Sequence, residues 1–240
     1  MPQRRPLAEG DCQLIADLGS MGFSPRVVYD IGAAHGGWTR EMRRVLPGAR
    51  FELFEPLAGH RTDYREQLDA LLNEGGDIRL HALALGDEPG TIDIAMTDDG
   101  VGSSVHMVKS VASTPVRVER ARLDDLARER AIAPADLVKM DVQASEDAIL
   151  RGMGSLLDHA QVLILETWLR RCYGPKTPLL PEMVSVLRDR GFTFVRVIDE
   201  YYNDRHELLA MDAVFIRREL LERINAKPGA LIEQPTVAAR

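Results

Sequence analysis

Four acids stand at the ends of apolar runs in this chain: Asp30 after Val27-Val28-Tyr29, Glu55 after Phe51 to Phe54, Asp141 after Leu137 to Met140, and Glu166 after Val162 to Leu165. If these runs are strands of one open parallel sheet, the carboxylates converge, because the ligand crevice of such a sheet lies outside its carboxyl ends where strand order reverses. Glu55 follows Asp30 by 25 positions, and its two oxygens match the two hydroxyls of a ribose. Between them runs Gly32-Ala33-Ala34-His35-Gly36-Gly37. Gly32 permits a tight turn, while Gly36 and Gly37 leave room for a ligand and for the start of a helix whose free amides favour anionic or carbonyl groups. Turn and acid together predict a nucleoside-containing cofactor. Asp30 sits awkwardly for a pyrophosphate and suits a ligand bearing ammonium and sulfonium charge, which favours S-adenosylmethionine (SAM) over NAD. The dinucleotide pattern G-x-G-x-x-G is poorly matched, and G-x-x-x-x-G-K-[ST] is absent from the sequence.

Asp141 and Glu166 are the candidates for chemistry on an acceptor. Direct displacement at a sulfonium methyl needs a hydroxyl held in line and a group that takes its proton, and a carboxylate does both. Two carboxylates can also hold a divalent cation, the less favoured reading, since no other His or acidic cluster shows ligand spacing. His106, in a Gly- and Ser-rich loop, is a third catalytic candidate, set against a solvent-facing role. His35 lies inside the glycine turn, where a supporting role is favoured. Trp38 and Trp168 follow strand ends and offer faces to a sugar or adenine, or simply pack helices. Lys139 shares a strand face with Asp141 and is placed to pair with it. Arg170, Arg171 and Lys176 would suit an anionic acceptor, with exposed charge as the default explanation.

The elements that position these groups read as alternating strands and helices. Asp11 is placed to cap a helix carrying Leu14, Ile15 and Leu18 on one face. After the first strand and glycine turn, a helix is expected from about Trp38 to Leu46, stopped by Pro47-Gly48, then strand Arg50 to Phe54 and a helix through Tyr64, Leu68, Leu71 and Leu72. Ile78 to Leu85 reads as a third strand. Thr91 to Met96 and Val116 to Arg120 alternate and are expected to pair antiparallel as an extension of the sheet, flanking a lid-like loop from Thr97 to Ser113. Leu123 opens a short helix, Ala135 to Asp141 is a fourth strand, and the aliphatic run Val162 to Leu165 is a strand buried on both faces. A helix from Pro181 to Arg190 and strands Phe192 to Ile198 and Met211 to Ile216 complete the pattern.

Composition fits one large α/β domain: 240 residues, 45% hydrophobic and 28% charged. A net charge of −7 disfavours a broad nucleic-acid surface. Cys12 and Cys172 are too few to staple such a domain, and with no apolar leader and no long apolar run a cytoplasmic protein without a membrane span is expected. Residues 1–24 are expected to form a covering helix, 25–223 the catalytic domain and 224–240 a loosely held tail. Oligomeric state is not encoded in any motif.

Taken together, Asp30-Ile31-Gly32-Ala33-Ala34-His35-Gly36, Phe54-Glu55-Pro56, Ala84-Leu85-Gly86-Asp87, Leu123-Asp124-Asp125 and Leu137 to Glu146 resemble the successive motifs of the FkbM-type SAM-dependent methyltransferases. The resemblance runs from about Val27 to Phe215. It implies a class I methyltransferase (Rossmann-like) α/β fold, a mostly parallel seven-stranded sheet whose last strand is antiparallel, with helices on both faces and here an added β-hairpin. It also implies O-methyl transfer to a hydroxyl of a sugar-containing or secondary-metabolite small molecule. By motif matching, Asp30, Gly32 and Ala33 would line the methionine part of SAM, with His35 and Gly36 in the same turn. Glu55 and Pro56 would hold the ribose, and Ala82 and Leu83 would flank the adenine. Two positions depart from the pattern. Ala144-Ser145-Glu146 stands where members usually have Gly-Ala-Glu, and Ala82 where Asn is frequent. The competing functions are an NAD-linked oxidoreductase of the same fold class and a non-catalytic SAM-binding module.

Overall fold

The computed structural model describes residues 9–98, 100, 102–106 and 112–226. The expected frayed start, the tail beyond residue 226 and residues 99, 101 and 107–111 of the predicted lid lie outside the described residues.

The chain opens with helix α1 (Glu9–Ser20), which buries Leu14, Ile15 and Leu18 as their spacing predicts. Asp11 does not cap it. The residue lies within the first turn, is buried, and accepts the indole N–H of Trp38 at 2.8 Å. Strand β1 (Val27–Ile31) leads through the glycine turn to α2 (Gly37–Val45), and β2 (Arg50–Phe54) leads through a 3-10 turn at Pro56–Gly59 to α3 (Thr62–Asn73).

The expected third strand is two. Strand β3 (Ile78–His81) pairs with β2, after which the chain changes sheets at Ala82 and Leu83 so that β4 (Ala84–Leu85) pairs with β6 (Ser113–Ala121). β6 also pairs antiparallel with β5 (Gly90–Thr97). The predicted hairpin is therefore present, but it forms a separate three-stranded sheet in the order β4-β6-β5 instead of extending the main one. Helix α4 (Leu123–Arg130), β7 (Leu137–Met140), α5 (Glu146–Met153) and β8 (Val162–Trp168) follow, and then α6 (Leu180–Asp189), β9 (Phe192–Tyr202), β10 (Leu208–Arg217) and α7 (Arg218–Asn225). Helix α7 runs two residues into the expected tail and is anchored by buried Leu220, Leu221 and Ile224.

The main sheet has seven strands in the order β3-β2-β1-β7-β8-β10-β9. All neighbours are parallel except β10, which runs antiparallel to both β8 and β9. The chain runs outward from β1 to β3 and then returns to β7 beside β1, so the order reverses between β1 and β7. Alternation along the strands gives each face its own core. Val28, Leu53, Leu137, Ile164 and Val214 pack with α1, α2, α3 and α7, while Tyr29, Ile31, Met140, Leu163 and Leu165 pack with α4, α5 and α6. All seven residues of β8 are buried, the aliphatic run Val162 to Leu165 as expected and Glu166, Thr167 and Trp168 with it.

Candidate active site

The reversal point is closed by contacts that only glycine allows. At Gly32, φ is +82° and a Cβ would stand 2.0 Å from the carbonyl oxygen of Asp141, so the ends of β1 and β7 touch there. Gly36 serves packing: at φ +76° its missing Cβ leaves space for Leu68 and Leu71 of α3. The His35 ring lies over Gly37 and stacks on Tyr64 at 6.3 Å between centroids. Ala34 takes a left-handed φ of 48°, and its amide donates to Glu55 Oε2 at 2.7 Å while Leu57 N–H donates to Oε1 at 2.8 Å. Thr39 Oγ1 donates to Asp30 Oδ2 at 2.5 Å. Burial pushes the Asp30 carboxyl up to about 6 against that hydrogen bond, and pushes Glu55 up to about 7 against its two amides.

Strand register gathers a second group on the same face. Asp30 is opposite Lys139, Lys139 is opposite Ile164, and Glu166, two residues beyond, is opposite Asp212. Lys139 Nζ stands 3.5 Å from Asp212 Oδ1 and 3.7 Å from Asp141 Oδ2, and no other Lys or Arg among the described residues is buried. Burial alone would lower the ammonium, but Asp212, Asp141 and Asp11 outweigh it and hold Lys139 well above its usual value. The acids are in excess. Burial, reinforced by Asp141, Glu146 and Asp212, drives Glu166 well above the usual carboxylate range, and burial brings Glu146 to about 8 and Asp212 to about 6. Glu166 Oε2, Glu146 Oε2, Asp212 Oδ1, Lys139 Nζ, Ser145 Oγ and Trp168 Nε1 are all buried without a hydrogen-bond partner.

Asp141 is held from the side by a short chain of hydrogen bonds. Gln143 Nε2 donates to Asp141 Oδ1 at 2.8 Å, and the Tyr173 hydroxyl donates to Gln143 Oε1. Tyr173 in turn packs edge-on against Trp168. The backbone here is left-handed at two non-glycine residues, Gln143 (φ 55°) and Ala144 (φ 78°). Loop contacts fix it in that form: Ser104 Oγ donates to Gln143 O at 2.7 Å, and His106 Nε2 lies 3.1 Å from Ala144 O. Burial lowers the His106 imidazole, and because a carbonyl oxygen only accepts, Nε2–H is the donor in this contact. The β5–β6 loop, the segment after β7 and the segment after β8 thus meet at Gln143 and Ala144.

A family model described as the methyltransferase FkbM domain matches residues 30–194, more than half of the chain. The protein belongs to the FkbM methyltransferase family. Among solved structures, the methyltransferase FkbM from Methylobacillus flagellatus KT is 15% identical with a TM-score of 0.53, covering 80% of this chain and 43% of that one. EvdMO1 is 12% identical with a TM-score of 0.50, covering 94% of this chain and 45% of that one. Magnesium protoporphyrin IX methyltransferase from Synechocystis PCC 6803 with bound SAH is 15% identical, with a TM-score of 0.47 and coverage of 87% and 84%. At these identities the likeness is one of fold, and the chain spans less than half the length of the first two. No curated protein matches the chain.

Family and fold support SAM-dependent methyl transfer, which replaces the NAD-linked alternative. The residues present fit such a cofactor: a ligand carrying sulfonium and ammonium charge supplies the cations that the buried carboxylates lack, with Lys139 alone opposing them. Of the expected residues, the structure brings Asp30, Gly32, Ala33, Glu55 and Asp141 together around the β1–β7 junction. Pro56 opens the 3-10 turn that Glu55 caps, and Ala82 is exposed at the end of β3. Leu83 points elsewhere, buried in the core of the opposite face. The indoles do not face solvent either; Trp38 is committed to Asp11, and Trp168 is buried with Ala144 and Ala210. Arg171 is paired with Glu182, and Arg170 lies 3.7 Å from Glu207. Asp212, Gln143 and Tyr173 escaped the sequence reading, although an acid inside the apolar run Met211 to Ile216 was a usable signal. Among the described residues no group of three or more His, Cys, Asp or Glu is arranged to hold a metal ion, and no helix is long and apolar enough to cross a membrane.

Proposed function

We propose that the protein is a SAM-dependent O-methyltransferase acting on a hydroxyl of a neutral, polyhydroxylated small molecule, such as a sugar-containing metabolite. The observation that carries this reading is the set of buried polar atoms without hydrogen-bond partners at the carboxyl ends of β7 and β8, where antiparallel register brings Asp212 of β10 beside Glu166. Donors (Trp168 Nε1, Ser145 Oγ) and a carboxylate oxygen (Glu166 Oε2) are left without partners beside the Lys139–Asp212 ion pair, which matches a ligand whose hydroxyls both give and accept hydrogen bonds. Carboxylates outnumber the one buried lysine, so an anionic acceptor is disfavoured and the outer arginines are already paired.

When bound, SAM supplies an electrophilic methyl group. Glu55 would hold the ribose and Asp30 the charged methionine end. Asp141, fixed by Gln143, orients the acceptor hydroxyl in line with the methyl, and Asp141 or Glu166 receives its proton. His106, bonded to Ala144 O, fastens the loop that covers this point. Incubation with methyl-labelled SAM and an extract of the source cells, followed by mass spectrometry, tests the reading. Label on a hydroxyl of a neutral sugar-containing molecule supports it, and label on protein or nucleic acid overturns it. A module that only binds SAM would transfer no label at all.

A further inference from the structure

Glu166 is buried inside the sheet with one carboxylate oxygen unpartnered. Charged or titratable groups face it from each neighbouring element: Lys139 and Asp141 from β7 and its end, Glu146 from α5, Asp212 from β10, Tyr173 from the segment after β8 and Tyr201 from β9. Only Lys139 stabilises its anion, and that ammonium is shared with Asp141 and Asp212. Two uncharged donors, Trp168 Nε1 two residues along β8 and Ser145 Oγ beside Glu146 at the start of α5, are also buried without partners, so the region is built to meet a ligand and is not merely a patch of acids.

Resting on the cofactor assignment above, we propose that Glu166 reads the charge on the cofactor sulfur: it is an anion opposite the sulfonium of SAM and a neutral acid opposite the thioether of S-adenosylhomocysteine (SAH). The balance of the cycle follows. Binding of SAM to the protonated site releases one proton to solvent. In the transfer step the sulfur–methyl bond breaks, the acceptor oxygen–methyl bond forms, and the proton of the hydroxyl passes to the Glu166 carboxylate as the positive charge on sulfur disappears. The site is then again uncharged at Glu166, now beside a neutral product. Burial and the surrounding acids hold the Glu166 carboxyl well above its usual value even beside Lys139, so the loss of the sulfonium itself makes Glu166 a stronger base at the moment a proton must be accepted.

The experiment needs no acceptor. Calorimetric titration of the whole chain with SAM and with SAH at neutral pH, in buffers of different ionisation enthalpy, counts the protons released. SAM is expected to release about 0.5–1 proton more than SAH, and Glu166→Gln is expected to abolish that difference while both ligands still bind. Equal release by the two ligands overturns the proposal, as does a difference that survives in Glu166→Gln, which would move the role to Glu146 or Asp212. A second readout uses the native protein alone: the ratio of SAM to SAH affinity should rise with pH, by up to about tenfold per unit, as expected for a single linked proton. A flat ratio overturns the proposal even if the variant fails to fold. Failure of both ligands to bind would instead remove the cofactor assignment.

Discussion

Glu55 Oε2 accepts the backbone amide of Ala34 at 2.7 Å, so the acid at the end of β2 also shapes the turn at the end of β1. Its other oxygen accepts Leu57 N–H. Each carboxylate oxygen keeps a further lone pair, which under the proposed function would receive a ribose hydroxyl.

Glu55→Ala is expected to weaken SAM binding by roughly 1.5–3 kcal/mol, the range for hydrogen bonds to a charged group. Glu55→Gln should fall between, because an amide nitrogen cannot accept from Ala34 or Leu57. Calorimetry with SAM decides this, and NADH is expected to give no heat. Unchanged affinity in Glu55→Ala would take the residue out of the site.

Asp141→Asn keeps the shape of the side chain but removes its charge and one acceptor. Label transfer from SAM is expected to slow by about 100-fold or more with SAM affinity nearly unchanged, in the range typical of acid–base catalysis. Tyr173→Phe, which frees the far end of the Gln143 amide, should slow transfer less, and should add little in an Asp141→Asn background because the two act through one chain of bonds. Parallel losses of rate and SAM affinity in Asp141→Asn would make Asp141 a cofactor ligand.

What the sequence disclosed and what it hid follow from how local each signal is. Asp30, Glu55, Asp141 and Glu166 were visible because strand periodicity and the terminal acid lie within a few residues of each other. Asp212 meets Glu166 only through the antiparallel register of β10 on β8, a pairing between segments that no local pattern encodes. The break between β3 and β4 was equally silent, since Ile78 to Leu85 holds no Gly or Pro to mark a turn and the change of sheet is set by pairing with β6. Tyr173 and Gln143 lie in irregular segments, where periodicity gives no orientation.

Glu146 gives a pH signature in the ligand-free protein. Its folded-state value of about 8, raised chiefly by burial, lies above the unfolded value of about 4.3 for a glutamate. Between these values the folded state holds a proton that the unfolded state has released, so this contribution to stability is full at low pH and declines as pH rises toward 8. Glu146→Gln mimics the protonated form and can keep the contact of Oε1 with Val142 N–H. Its melting temperature is expected to fall less than that of the wild type between pH 5 and pH 8, and identical slopes would show that Glu146 is ionised in the folded chain.

Two alanines in left-handed backbone should respond differently to glycine. Ala131 ends α4 with φ 51°, is exposed, and its N–H bonds to Ala127 O. Relief of the left-handed strain is worth about 1–2 kcal/mol, and the added freedom of glycine in the unfolded chain takes back about 0.4–1 kcal/mol. Ala131→Gly should therefore raise the unfolding free energy by about 0.5–1 kcal/mol. Ala144 has a larger φ of 78° but is fully buried beside Trp168 and Ala210, so removing its methyl also forfeits about 0.8 kcal/mol of burial. The opposing terms nearly cancel there. Urea denaturation should show a clear gain for Ala131→Gly and almost none for Ala144→Gly. A large gain at position 144 would mean that its methyl is not packed, and that the residue's departure from the glycine usual in its family strains this loop without stabilising it.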